Sequence, residues 1–209
     1  MDDRTRARLD AEIGAVRAER EDRRRATVAF TDDWQEDAAR RDFTINALYA
    51  DPISGEISDY FGGLADLAAG CVRFIGDPLQ RIAEDHLRIL RYFRFHARFG
   101  SGQADEAALS ACAARANDLM ALSRERIAAE LLALLALPDP APTVGLMIAL
   151  GIFAPVIPEI GDAAPLARLV SREQQQGVGA DAVRRLAALL PADPAIAESV
   201  AARLKFSSA

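Results

Sequence analysis

A chain of 209 residues, 51% hydrophobic and 27% charged, can bury a sizeable core in one or two domains and has the composition of a globular protein rather than a disordered or fibrous one. A formal charge of −6 excludes a uniformly basic nucleic-acid binder and leaves local patches as the electrostatic route to RNA or DNA. Cys71 and Cys112 have neither metal-ligand spacing nor the density of a disulfide scaffold, and the longest apolar run, Leu131 to Leu137, is too short to cross a bilayer. With an N-terminus too charged for a signal peptide, the expectation is a cytoplasmic protein with reduced cysteines and no membrane partner.

Residues 1–25 interleave Asp, Glu and Arg with almost no apolar period and end in Arg23-Arg24-Arg25, the pattern of a solvated helix or a charged arm. Ala26 to Phe30 then reads as a strand with Thr31-Asp32-Asp33 as its exit turn, and Trp34 to Arg41 as a polar linker or helical turn. Phe43 to Tyr49 is a short apolar run that suits strand or helix equally. Asp51 to Ile57 is a turn between two strands, the second continuing to Tyr60 ahead of Phe61-Gly62-Gly63, where adjacent glycines permit positive backbone angles or a close approach. Leu64 to Gly70 is a helical turn ending at glycine, and Cys71 to Ile75 returns as a strand.

Asp77 ahead of Pro78 predicts an N-cap followed by proline at the first helical position, and Gly100 predicts the stop, so 77–100 reads as one long helix. Ile82, Leu87 or His86, Ile89, Leu90, Phe93 and Ala97 make its buried stripe. Arg81, Asp85, Arg88 and Arg91 follow at intervals of four, three and three and would stack on one exposed face. A carboxylate accepts from the exocyclic amine of cytosine or adenine, and a guanidinium donates to the atom beside it. The same residues also suit ordinary surface ion pairs with Glu84. Beyond Gly100 the pattern is helical, at about 105–117, 123–137 (capped by Ser123, ended by Pro138), 141–150, 165–176, 180–190 and 194–205. His86 and His96 read as packing or helix-face residues.

Arg40-Arg41-Asp42-Phe43-Thr44-Ile45-Asn46-Ala47-Leu48 combines charge with hydroxyl and amide groups in an apolar frame. Arg41 suits a phosphate, with Asp42 and Asn46 orienting a ribose or the arginine itself; a buried Arg-Asp pair closing a loop fits as well.

Together with Asp59-Tyr60-Phe61-Gly62-Gly63-Leu64-Ala65-Asp66-Leu67, Arg81 to Arg91 and Leu122-Ser123-Arg124-Glu125-Arg126-Ile127, that stretch resembles the class II tRNA nucleotidyltransferase family, which contains CCA-adding enzymes and bacterial poly(A) polymerases. The order and spacing of the four motifs match over residues 26 to about 137. The resemblance implies that Asp85 and Arg88 pair with the base edge of incoming CTP or ATP. It implies further that Glu84 holds Arg88 or a neighbour, that Arg91 adds a contact near the nucleotide, that Arg41, Asp42 and Asn46 form the ribose-contacting motif with Arg41 and Asp42 on sugar and phosphate, and that Gly62 and Gly63 act as a hinge between bases. The fold it implies is α+β: a charged arm at 1–25, a partial nucleotidyltransferase head at 26–75, a helical neck at 76–137 and the start of a helical body at 138–209.

The family's glycine-rich strand and Asp-x-Asp pair, which would hold two Mg²⁺ ions, should precede Ala26. Asp2-Asp3 and Asp32-Asp33 are adjacent pairs that point to opposite faces of a strand. No catalytic and no metal-binding residue is therefore assigned. The expectation is a nucleotidyltransferase fragment, truncated at both ends, that keeps selection of CTP and ATP for a tRNA 3′ end but is inactive alone, in a family that uses Mg²⁺. The alternative is a non-enzymatic helical RNA-binding or scaffold protein using its arginines on phosphates.

Overall fold

The structure, a computed structural model, describes residues 33–206. The charged arm at 1–25, the strand expected at Ala26–Phe30 and the carboxylates of Asp2, Asp3 and Asp32 lie outside the described residues. The chain divides into two compact units, one up to Asp37 and one from Ala38 onward. Helix α1, Trp34–Ala39, falls at that boundary and begins where the Asp33 carboxylate accepts from the Gln35 and Glu36 amides.

In the second unit, the ambiguous run at 43–49 becomes both alternatives in turn. Thr44–Asn46 is a short 3₁₀ turn and Leu48–Ala50 is strand β1, which pairs antiparallel with β2, Ile57–Asp59, in the register Leu48↔Asp59. Asp51 closes the hairpin by accepting from the Ile53 and Ser54 amides. Helix α2, Gly63–Ala69, ends at Gly70 in the left-handed region. The strand expected at Cys71–Ile75 is only a single bridge, Phe43↔Phe74, flanked by Thr44 N–H to the Arg73 carbonyl and Ile75 N–H to that of Asp42. It pairs with a segment that turns helical one residue later, so no ladder propagates.

The long helix expected at 77–100 is two helices. Asp77 caps α3, Pro78–Glu84, through the Gln80 amide at 2.8 Å, as the sequence predicts. At Asp85 the backbone is extended (φ −153°, ψ 107°), and the chain re-enters helix as α4, Arg88–Phe99. Asp85 makes this break chemically: its carboxylate accepts from the Leu87 amide at 3.1 Å and its carbonyl from Arg88 at 3.0 Å. Aspartate offers the main chain a local alternative to the helix ladder, and here the alternative wins.

The remaining helices follow the expected order: α5 Glu106–Ala114, a 3₁₀ segment Ala116–Ala121 that the sequence reading missed, α6 Arg124–Leu135, α7 Ala141–Ala149, α8 Ala164–Gln176, α9 Ala182–Leu189 and α10 Pro194–Arg203. Asp105, Ser123, Asp181 and Asp193 supply N-caps. Helix α6 is the hub, packing against α4 on one side and α9 on another, while α3 packs on α5 and α7 on both α4 and α8.

One apolar core runs from Phe43 and Phe74 through Ile82, Ile89, Tyr92 and Phe93 to Leu134, Ile157 and Leu204. Each of the large side chains it encloses contributes roughly 1.5–3 kcal/mol. Phe43 lies 4.9 Å from Phe74 and 5.0 Å from Phe95 between ring centroids, and Phe74 stacks on Tyr92 at 5.7 Å. This aromatic cluster fastens the segment carrying Arg41 and Asp42 to α4. The architecture is α+β, a small hairpin followed by a largely helical body. Cys71 and Cys112 are both free thiols.

Candidate nucleotide-binding site

Two charged groups meet where the 40–46 segment faces the junction of α3 and α4. The first is built on Asp42, which is 5% exposed. One of its oxygens accepts from the Phe43 amide at 3.1 Å and from Asn46 Nδ2 at 2.6 Å; the other accepts from Arg91 Nε at 2.5 Å. Burial raises the Asp42 pKa, but the hydrogen bond and charge of Arg91, with Asn46 behind them, outweigh it and hold the carboxyl below its ordinary range. Burial likewise opposes the charge on Arg91, and Asp42 overrides it upward. Arg91 also approaches Glu130 at 3.8 Å, and Glu130 accepts from Arg94 Nε at 2.7 Å.

The second group is built on Glu84. Its Oε2 accepts from Arg81 Nη1 at 2.7 Å and Arg88 Nη1 at 2.5 Å, across three and four residues that bring them to one side of the helix end. Burial raises the Glu84 pKa, and the two guanidinium groups, Arg88 foremost, bring it below its ordinary value. The two groups touch through the main chain: Arg81 Nη2 donates to the Arg41 carbonyl, and Arg88 Nη2 reaches the Arg40 carbonyl at 3.5 Å. Arg88 Nη1 also donates to the Arg81 carbonyl at 2.8 Å, one of the last unpaired carbonyls of α3. These bonds leave Arg88 Nε uncommitted.

Asp85 does not share the face with Arg81 and Arg88 that an unbroken helix would give it. Its carboxylate, 37% exposed, accepts from Arg126 Nη2 at 3.0 and 2.7 Å and from the Leu87 amide just ahead of α4. Of the residues singled out in the sequence, the structure therefore brings together Arg41 (through its carbonyl), Asp42, Asn46, Glu84, Arg88 and Arg91, with Asp85 at their edge. Gly62 and Gly63 stand at the start of α2. Gly62 has φ +78°, and a Cβ on Gly63 would lie 2.3 Å from the Thr44 carbonyl oxygen, so conformation at one and space at the other account for both glycines. Asp59 accepts from the Phe61, Gly63 and Leu64 amides and fixes that turn.

Arg126 lies in the Leu122–Ile127 motif, whose resemblance is to the neck segment that braces the 81–91 stretch, but the sequence predicts neither it nor Glu130 among the site residues themselves. Their i, i+4 spacing on α6 was visible, but their partners Asp85 and Arg91 lie some forty residues away, beyond any local pattern. Among the described residues, no group of three His, Cys, Asp or Glu is placed to hold a metal ion. Asp42, Glu84 and Asp85 are each occupied by arginine. The described residues thus do not fit a divalent cation.

The arrangement offers a carboxylate with open lone pairs and a guanidinium with an open N–H, three residues apart and each braced by oppositely charged neighbours. Residues 3–73 match the family described as the poly(A) polymerase head domain, and residues 103–163 that described as the probable RNA- and SrmB-binding site of polymerase A. The chain is 51% identical to the mitochondrial CCA tRNA nucleotidyltransferase 1 of Mus musculus over 112 residues, 53% of this chain and 26% of that protein. It is 38% identical to a CCA-adding enzyme of Staphylococcus epidermidis over 57% of this chain and 30% of that one, and 55% identical to poly(A) polymerase I of Haemophilus influenzae over 31% and 14%. It therefore spans less than a third of the length of these relatives. Among solved structures, a tRNA-processing enzyme with CTP superposes with TM-score 0.71 at 22% identity over 84% of this chain and 52% of that one. A Thermotoga maritima CCA-adding enzyme complexed with tRNA does so at 0.65 and 24%, over 81% and 44%. At such identities the likeness is one of fold.

Proposed function

Since this chain belongs to the family of CCA-adding enzymes and poly(A) polymerases, we propose that it carries the base-selecting part of a nucleotidyltransferase that adds CMP or AMP from CTP or ATP to a tRNA 3′ end. Asp85 accepts from the exocyclic amine of cytosine or adenine, and Arg88 donates through Nε to the ring atom beside it. Glu84 holds the Arg88 guanidinium against the Arg40 carbonyl. Asp42 and Arg91, paired with one another, support Arg41 toward sugar and phosphate. Gly62 and Gly63 act as the hinge. The single observation carrying the reading is the break at Asp85, which leaves that carboxylate accessible beside an Arg88 already immobilised by Glu84. We infer further that the protein acts in the cytoplasm and that the chain by itself selects nucleotides without transferring them, since neither Asp2-Asp3 nor Asp32-Asp33 has the alternate spacing that aims two carboxylates at one Mg²⁺.

Equilibrium binding of CTP and ATP to the 209-residue chain, repeated with Asp85→Ala and Arg88→Ala, tests this. Each truncation should weaken both nucleotides at least tenfold, the scale of a charge-assisted hydrogen bond. Unchanged affinity in both variants, or binding that ignores nucleotide identity and falls steeply with salt, would instead favour a phosphate-binding helical protein. Extension of a tRNA lacking its terminal CCA by the chain alone would overturn the statement that it does not transfer.

A further inference from the structure

His86 immediately follows the carboxylate that the proposed function assigns to base selection, and nothing in that function uses it. Its ring leaves the 85–87 turn toward the 3₁₀ segment Ala116–Ala121, where Nδ1 lies 3.7 Å from Asp118 Oδ2. Nδ1 is buried and, among the described residues, has no hydrogen-bond partner. Asp118 is also approached by Arg115 Nε at 3.2 Å. The charged groups facing the turn are thus Asp118 and Arg115 beyond the end of α5, Asp85 within the turn, Arg126 from α6 on the far side of Asp85, and Arg91 of α4, whose charge also acts on Asp85.

An imidazole gains its second N–H in the range between pH 8 and 5, and with it a full charge. A neutral ring leaves Nδ1 either as a buried donor too far from Asp118 to bond or as an acceptor facing a carboxylate, both unfavourable. A cationic ring pairs with Asp118 and draws the turn against the 3₁₀ segment. The turn is short: Asp85 caps Leu87, and the His86 carbonyl accepts from the Ile89 amide at 3.2 Å, so a pull on His86 is a pull on Asp85.

We propose that His86 is a positioning residue for nucleotide selection: protonated, it ties the turn carrying Asp85 to Asp118 and tightens the binding of CTP and ATP. This rests on the reading of Asp85 as the base acceptor. It predicts that affinity for either nucleotide rises by about threefold as pH falls through the His86 titration, the scale of a partly exposed ion pair. The chain has two histidines, so the His86 ring is distinguished from that of His96, whose pKa burial depresses, by assignment of its ring signals.

The test combines CTP titrations between pH 5.5 and 8.5 with the NMR titration of the His86 ring and of the Leu87 amide in the full chain. The expected result is a Leu87 amide shift that tracks His86 protonation and a CTP affinity with the same midpoint. Asp118→Asn should lower that midpoint and flatten both curves, Arg115→Gln should raise the midpoint by leaving Asp118 to His86 alone, and His86→Gln should abolish the pH dependence without abolishing binding. A Leu87 amide that ignores His86 protonation, or a midpoint unmoved in both Asp118→Asn and Arg115→Gln, overturns the proposal. If CTP binds at no pH, the base-selection reading fails and takes the affinity clause with it, while the Leu87 and His86 titrations still decide whether the turn is coupled to Asp118.

Discussion

Asp42 is where the chemistry of a single residue is most tightly constrained, since a carboxylate 5% exposed accepts from Phe43, Asn46 and Arg91 together. Removing its charge leaves a buried amide facing Arg91 and sacrifices a charge-assisted bond. Asp42→Asn should therefore destabilise the chain by about 1–3 kcal/mol at neutral pH. The pH dependence has a definite sign. Because the folded pKa lies below the ordinary 3.8, the stabilisation is present above that value and is lost as pH falls through the lower folded pKa. Urea denaturation at pH 7 and near pH 3 should show the gap between wild type and Asp42→Asn narrowing in acid; a gap that stays constant or widens contradicts the pairing. The sequence placed Asp42 and Asn46 together but offered both a ribose contact and a structural Arg-Asp pair. The structure shows that Asp42 pairs with Arg91, a residue 49 positions away, because the aromatic packing of Phe43 on Phe95 sets that side chain beside α4.

At the scale of the element, the break between α3 and α4 separates the local backbone bonding of Asp85 from the part in base selection proposed for it. As the acceptor of the Leu87 amide just ahead of α4 it can be replaced by Asn, which still accepts; in the proposed role of base acceptor, opposed to Arg126, it cannot. Asp85→Ala should cost about 0.5–2 kcal/mol of stability while Asp85→Asn costs only a few tenths, and both should lose CTP affinity. Thermal unfolding alongside binding separates the two effects, and equal stability losses in the two variants would remove the cap from the account. Helix α2 makes a second prediction. Gly63→Ala puts a methyl 2.3 Å from the Thr44 carbonyl oxygen, a main-chain neighbour that cannot rotate away. A loss of about 1–3 kcal/mol is expected by chemical denaturation, with melting unchanged from wild type counting against this packing. The helix break was not legible from the Asp77 cap, the Pro78 start and the apolar stripe, all of which continue in phase across Asp85. The competing signal, an aspartate bonding its own turn, is weak until the turn exists.

Across the whole molecule, α6 joins the site to the helical body. Arg126 and Glu130 along it reach Asp85, Arg91 and Arg94, and its last carbonyl, that of Leu135, is held by Arg185, which donates to it at 2.7 Å and to the Leu137 carbonyl two residues beyond at 2.6 Å. Arg185 and its partner Glu173 are 2% and 4% exposed, and their ion pair closes at 2.8 Å. Burial raises the Glu173 pKa, and its bonds to Arg184 and Arg185 carry it below the ordinary range. Breaking a buried pair strands the remaining charge, so Glu173→Ala should cost about 3–5 kcal/mol, whereas replacing both partners by apolar residues of similar size should cost much less. Guanidinium melts of the single and paired variants measure the difference; equal losses would mean that the pair is not what holds α6 to α8 and α9.

The amino-acid sequence by itself determined the order of the elements after Gly100, the caps at Asp77 and Ser123, the hairpin around Asp51 to Ile57, and the charged residues grouped at 40–46 and 81–91. Those are consequences of neighbours within one or two turns, where spacing, proline and short polar side chains act directly on the backbone. Only the tertiary structure decided that Asp85 breaks its helix, that the return at Phe74 stops at one bridge, and that Arg126 and Glu130 from α6 close on Asp85 and Arg91. A charge chooses its partner by distance in space, and the packing that sets those distances belongs to the folded chain as a whole.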